Sequence, residues 1–390
     1  MQIVINLAMK FNKYRLEHLS TQIESSCFST QNSDVDEFMF MVHATNLCEP
    51  FAQQLDAIIK SYKHIIEENC DFSPVFIRFF VSDTANQAKD IYKEIGNQNC
   101  PISLIEQAPL DGSKIAMWVY SLSNIELNSN GNLSKFSHNS YSHLWSADKP
   151  QGNWNDSRLQ TKELLVNYVE NIKKEECSLL CDTIRTWFFV QNVDVNYAGV
   201  VTGRNEIFDE EGLTVDSHFI TSTGIQGRIA DHRVTTVMDA YTVKGLKQEQ
   251  IQFLYAPTHL NNTAEYGVRF ERGTAVHYGD RSQVFISGTA SINNKGEVVH
   301  IGDIRNQTLR MWENVETLLA EANCSFDDLA QMIVYLRDIS DYAVVKDMFD
   351  EKFPNTPKIL VLAPVCRPTW LIEMECIAVR GNDNENYANF

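Results

Sequence analysis

The chain has 390 residues, 44% of them hydrophobic and 22% charged, and a formal net charge of -18. That length fits two or three domains of about 100–200 residues with real apolar cores. So acidic a chain repels phosphate backbones, which argues against nucleic acid as a partner unless a local basic cleft intervenes. In chain order, Tyr14–Leu19 and Glu37–Ala44 read as strands, the second (EFMFMVHA) nearly all apolar. Pro50 fits the first turn of a helix whose stripe of Phe51, Leu55, Ile58, Ile59, Tyr62 and Ile65 recurs at three and four. Strand Val75–Val81, helix Ala85–Ile95 stopping at Gly96, and strands Ile102–Glu106 and Lys114–Ser121 follow.

Residues 123–158, rich in Asn, Ser and Gly, read as a long, partly ordered link with irregular strands, and Trp145 and Trp154 read as exposed. Then come helix Leu159–Lys174, strand Thr183–Val190, an Asn192-Val193-Asp194 turn and helix Tyr197–Glu211 before Gly212. Strands His218–Ser222 and Arg233–Val243 close that stretch. The last third offers strand Gln283–Ser287, an Asn293–Gly296 hairpin turn, strand Val298–Ile301 and helix Ile304–Asn323 packing through Leu309, Trp312, Val315, Leu318 and Leu319. Strand Met332–Arg337, helix Tyr342–Phe353 and strands Ile359–Val365 and Trp370–Val379 complete it.

These elements repeat. FIRFFVSDTANQAKDIYKEIG, TIRTWFFVQNVDVNYAGVVTGRNEIF and MIVYLRDISDYAVVKDMFDEKF each run from a buried strand through a short Asp-containing turn into a helix. The period of about 130 residues predicts three units of ββαβαββ pattern, an α+β fold with helices on one sheet face and neighbouring units covering the other. The expected units are 1–124, 125–246 with an irregular N-terminal link, and 247–390, the most complete.

The stretch ISGTASINNKGEVVHIGDIRNQTLRMWENVETLLAEANCSFDDLAQMIVYLRDISDYAVVKDMFDEKF, with the terminal IEMECIAV, resembles the Rid family (YjgF/YER057c/UK114) across nearly the whole third unit. The first two units look like diverged copies. The resemblance implies a chorismate-mutase-like α+β fold and a covalent pseudo-trimer with clefts between units. It implies one of two activities: hydrolysis of reactive enamines and imines such as 2-aminoacrylate, or, in the longer chorismatase branch, hydrolysis of the enol ether of chorismate. An old family label, endoribonuclease, fits poorly with the charge.

Glu373 lies where both branches place a functional Glu. In a strand it shares one face with Glu375, so if buried at least one of the two must be wet, paired or protonated. A Glu of raised pKa could pass a proton to a vinyl carbon. Aligned on their last strands, the second unit has Val237 and Asp239 at the Glu373 and Glu375 positions, and the first has Ala116 or a near neighbour. One working cleft and two degenerate ones is the expectation. Cys366, in CRPTWLIE, resembles the chorismatase branch, with a steric or hydrogen-bonding role. Lys358 falls where short Rid proteins carry a carboxylate-binding Arg, a departure because Lys cannot fork a carboxylate.

Other candidates for gripping a carboxylated substrate are Arg185, inside an apolar strand, Tyr197 and Arg204 two turns apart on one helix, and Ser222 and Thr223. The competing reading pairs Arg185 with Asp194 and leaves Arg204 a solvated helix cation. The run before the third unit adds Tyr266, Arg269, Arg272 and Arg281, and Ser287, Thr289 and Ser291 alternate on one strand face. No phosphate-loop, dinucleotide or metal-ligand spacing occurs, so no cofactor or metal is expected. Nine scattered Cys without Cys-x-x-Cys spacing point to reduced thiols. No secretion signal and no apolar run near the ~18 residues of a membrane helix are seen, so a cytoplasmic location and no membrane partner are expected. The expected function is hydrolysis of a small carboxylated enol ether such as chorismate by a single-chain pseudo-trimer or a homo-oligomer of it. The alternatives are enamine or imine deamination, and metabolite binding without catalysis.

Overall fold

The computed structural model describes residues 9–68, 71–130, 132–152 and 155–390, without the side chains of Asn130 and Tyr266. Trp154 lies outside the described residues. The first unit runs β1 (Lys10–Leu16), β2 (Thr21–Phe28), β3 (Glu37–Ala44), α1 (Phe51–Glu68), β4 (Phe72–Val81), α2 (Thr84–Ile95), β5 (Ile102–Glu106), β6 (Ala108–Pro109) and β7 (Ile115–Ser123). The second runs β8 (Asn128–Asn130), β9 (Leu133–His138), β10 (Tyr141–Asp148), α3 (Ser157–Lys174), α4 (Leu179–Asp182), β11 (Thr183–Val190), α5 (Val193–Glu210), β12 (Thr221–Gln226) and β13 (Thr236–Lys244). The third runs β14 (Ile251–Leu254), β15 (Gly273–His277), β16 (Arg281–Ala290), α6 (Ile304–Glu321), β17 (Leu329–Leu336), α7 (Tyr342–Lys352), β18 (Lys358–Leu362) and β19 (Ile372–Gly381).

The three sheets share one order: β1-β2-β3-β7-β4-β5, β8-β9-β10-β13-β11-β12, and β14-β15-β16-β19-β17-β18, with β6 of the first unit added to the third sheet. In each, three antiparallel strands precede the first long helix and the last strand inserts at the centre. The unit is therefore βββαβαββ, one strand longer than the sequence pattern suggested. Residues 128–148 are three paired antiparallel strands and not an irregular link, and Trp145 is buried. Their alternation was masked by polar residues that the neighbouring unit covers; Ser134, for instance, donates to Val75 O at 3.1 Å across the boundary. Val298 makes only an isolated bridge to Ile292 and starts no strand, and Leu309 is exposed while Met311 takes its place in the core.

Helix starts follow the Asp turns. Asp83, Asp156 and Asp303 cap α2, α3 and α6 by accepting from backbone N–H groups of the first turn, which satisfies donors the helix leaves open. The helix-facing sides of the first two sheets form their own apolar clusters. The opposite faces merge into one cluster with residues from all three units, among them Phe76, Trp118, Trp145, Trp187, Tyr241 and Phe285. The ring closes through the parallel edge strands. Glu106 N donates to Arg228 O at 2.8 Å, Gln226 N to Pro364 O at 3.2 Å, and Leu110 N to Leu360 O at 2.9 Å, each edge meeting the next unit in turn. Among the described residues no helix is long and apolar enough to cross a membrane.

Candidate active site

A cleft of about 470 Å³ lies where the second unit meets the third. The second unit contributes Tyr197 and Arg204 from α5 and Ser222 and Gly224 from β12; the third contributes Arg272, Gly288 from β16, the loop Cys366–Trp370 and Glu373. Strand β19 brings Glu373 there. Its ladder pairs Glu373 with Tyr335 on one side and Ala290 on the other. Both carboxylates of the strand are buried, Glu373 with 5% of its surface exposed and Glu375 with 1%.

The two acids differ in their company. Glu375 accepts from Arg185 Nη2 at 2.8 Å and from Trp187 Nε1 at 2.8 Å, and Arg78 Nη1 stands 3.9 Å away. Glu373 lies over Gly288 so closely that any Cβ there would overlap its Oε1. Burial pushes the Glu373 carboxyl up to about 8, the nearby Glu375 adds to the rise, and Arg185 and Arg272 only partly offset it. At neutral pH the group therefore holds a proton inside a cleft.

Around it, Arg204 is buried with its guanidinium 5.6 Å from the Phe208 ring, so it is no solvated helix cation. Arg272 is buried too, donates to Asn261 O and Oδ1 at 3.2 Å each, and stacks on Phe270. The Cys366 thiol is pushed up to about 12, first by burial and then by Glu373, which leaves it a neutral group against Tyr197. Two glycines shape the walls, since a side chain at Gly224 would meet the Tyr197 ring at 2.8 Å.

Six expected site residues are elsewhere. Arg185 lies behind the cleft, paired with Glu375 and Thr223 Oγ1 (2.5 Å), and Asp194, its expected partner, binds Arg337 instead. Thr223 Oγ1 also accepts from Gly288 N at 2.9 Å, Ser287 Oγ donates to Glu271 O at 2.6 Å, and Thr289 Oγ1 donates to Ser287 O at 2.9 Å; these hydroxyls brace the wall and do not line it. A register shift between Ile286 and Thr289 breaks the alternation that would have aligned them. Arg281 is wholly buried between the first and third units, bound to Glu37 Oε2 (3.1 Å), Val35 O (2.6 Å) and Asp280. Lys358 faces the cleft between the third and first units. The clefts form between units, so one unit's motif is divided over two of them; the strand position of Lys358 is filled beside Glu373 by Ser222, since Val361 and Ile225 mark the same rung of β18 and β12. Tyr266's side chain is outside the described residues, and Arg269 binds Asp209 away from the cleft. The sequence reading passed over Arg367, whose guanidinium stacks 4.6 Å from Trp370 on the rim, though CRPTW held both.

The ladders also align the acids. The rung before the last residue of the central strand pairs Phe80 with Ala116, Phe189 with Val237 and Tyr335 with Glu373, so the other two clefts lack a carboxyl at that rung.

The sequence profile of the endoribonuclease L-PSP family matches residues 271–380. A RutC family protein of Pyrococcus abyssi is 37% identical over 100 residues, 25% of this chain and 78% of its own length. The 3-aminoacrylate deaminase RutC of Acinetobacter baylyi is 30% identical over 97 residues, 24% of this chain and 77% of its own. A solved chorismatase superposes with a TM-score of 0.61 at 17% identity, over 78% of this chain and 93% of that one, a likeness of fold.

Proposed function

The chain belongs to the Rid/RutC family, and from that premise we propose that it is a hydrolase of small carboxylated enol ethers such as chorismate. The observation that carries the reading is a neutral, buried Glu373 in a cleft that Arg204 and Arg272 also line. Glu373 would give its proton to the vinyl methylene, leaving an oxocarbenium-like carbon. Water adds to that carbon, the resulting hemiketal collapses, and pyruvate and a ring alcohol separate while Glu373 recovers a proton from the water. Carbon protonation is slow without a positioned acid, and an acid that stays protonated up to about pH 8 is matched to that step. The arginines would hold carboxylates through charge-assisted hydrogen bonds. The apolar walls, Val201, Val268 and Ile292, suit a carbocyclic ring. All these residues come from one chain, so the site needs no second copy.

The sequence identity to a 3-aminoacrylate deaminase supports a second reading, enamine hydrolysis, in which the same acid protonates an enamine carbon and ammonia leaves. One experiment separates them: the protein with chorismate, and separately with enzymatically generated aminoacrylate, scored for pyruvate and ammonia, beside Glu373→Gln. Pyruvate from chorismate, lost in the variant, is the expected result. Ammonia from the enamine with no turnover of chorismate selects the deaminase. Binding of chorismate without either product makes the protein a metabolite-binding relative and overturns the hydrolase.

A further inference from the structure

The cleft between the third and first units has lost its acid and yet has not closed. Its volume, about 470 Å³, equals that of the Glu373 cleft. Ala116 holds the rung of Glu373, but its ladder partner on β3 is His43, so a titratable group stands one strand over. His43 Nδ1 is 3.7 Å from Asp111 Oδ2 and its Nε2 is 4.0 Å from Glu24 Oε2, both beyond hydrogen-bond reach, and Nε2 has no hydrogen-bond partner. Lys358, 6% exposed, donates to Phe353 O at 2.9 Å and stands 3.4 Å from Asp350; Lys13 Nζ is 2.8 Å from Glu24 Oε1.

We propose that this cleft is a second binding site, built for a small zwitterion of the α-amino-acid class. Buried charges are costly unless compensated, and a purely structural cluster would close its pairs. Here the two contacts of the imidazole stay open toward a cavity. A simple anion entering it would face Glu24, Asp111 and Asp350, and a simple cation would face Lys13, Lys358 and His43. A molecule with both signs a few bonds apart is complemented by both sets: its carboxylate toward His43 Nε2 and Lys358, its ammonium toward Asp111 and Glu24. The proposal is independent of the chemistry assigned to Glu373, which lines the other cleft.

The test is calorimetric titration of the whole protein with glycine, acetate and methylammonium in turn. Glycine is expected to bind, with acetate and methylammonium each weaker by about tenfold or more, the worth of one charge-assisted contact. Lys358→Met and Asp111→Asn should each weaken glycine by about tenfold, while Glu373→Gln should leave its affinity unchanged. Asp111 has a third of its side chain exposed, so its variant tests the site even where Lys358→Met fails to fold. No heat with glycine at about 10 mM, acetate binding as tightly as glycine, or loss of glycine binding in Glu373→Gln would each overturn the proposal.

Discussion

Glu373 and Glu375 stand two residues apart on one strand face and are buried alike, yet only Glu375 has a cation and an indole N–H at hydrogen-bond distance. The difference has consequences for pH. Burial raises the Glu373 pKa from its ordinary 4.5 to about 8, so the folded state binds this proton more tightly than the unfolded chain. The stability it contributes is complete below about 4.5 and is lost as pH rises through about 8. Two outcomes follow. Turnover of the proton-dependent substrate should decline as pH rises through about 8, read from a pH–rate profile. Glu373→Gln should lose turnover by about 10²–10⁴-fold while melting higher than the parent at alkaline pH, because the amide cannot ionise. Gly288→Ala belongs to the same scale. Its methyl group would occupy the place of Glu373 Oε1, so the rate should drop by more than the melting temperature does, measured by kcat beside thermal denaturation.

Strand β19 places both acids, and β11 supplies the arginine that answers one of them. Glu375 is one of the causes raising the pKa of Glu373, so Glu375→Gln should move the alkaline limb of the pH–rate profile to lower pH; an unmoved limb would leave burial as the sole cause. Arg185→Met leaves the Glu375 carboxylate buried without its closest cation and should cost about 3–5 kcal/mol in denaturant unfolding. Element by element, much was readable in the sequence. Helix α1 buries Leu55, Ile58, Ile59, Tyr62 and Ile65 as its period of three and four indicates, and β11 spans Thr183–Val190 as its apolar run indicates. Strands β8 to β10 were not readable, because residues such as Ser134 and His143 are buried by other units, and a chain pattern records only what its own unit requires. The cleft's Glu373 was legible from a motif, whereas Lys358 and Arg281 were misassigned because their motif faces two different neighbours.

Around the centre of the molecule, each unit gives one charged side chain to a buried network. Arg78 of the first donates to Asp239 of the second at 2.7 Å and lies 3.9 Å from Glu375 of the third, with its guanidinium near the rings of Trp118 and Trp187. One apolar cluster also runs through all three units. The units are therefore expected to unfold together, as a single calorimetric transition whose van't Hoff and calorimetric enthalpies agree. Arg78→Met should lower that transition as a whole, by about 3–5 kcal/mol, and should not detach one unit; a separate low-temperature transition would show that the network is local to the first unit.

The sequence by itself determined the repeat, the class of each unit and the one strand that keeps an acid, since periodicity and burial pattern are properties of a chain segment. Which charges meet that acid was decided only by the tertiary structure. The clefts lie between units, and the ring that closes through Glu106, Gln226 and Leu110 sets Ser222, Arg204 and Tyr197 of the second unit against Glu373 of the third, while Lys358 turns toward the first. Local pattern carries no information about which copy becomes the neighbour; the packing of three buried sheet faces against one another does.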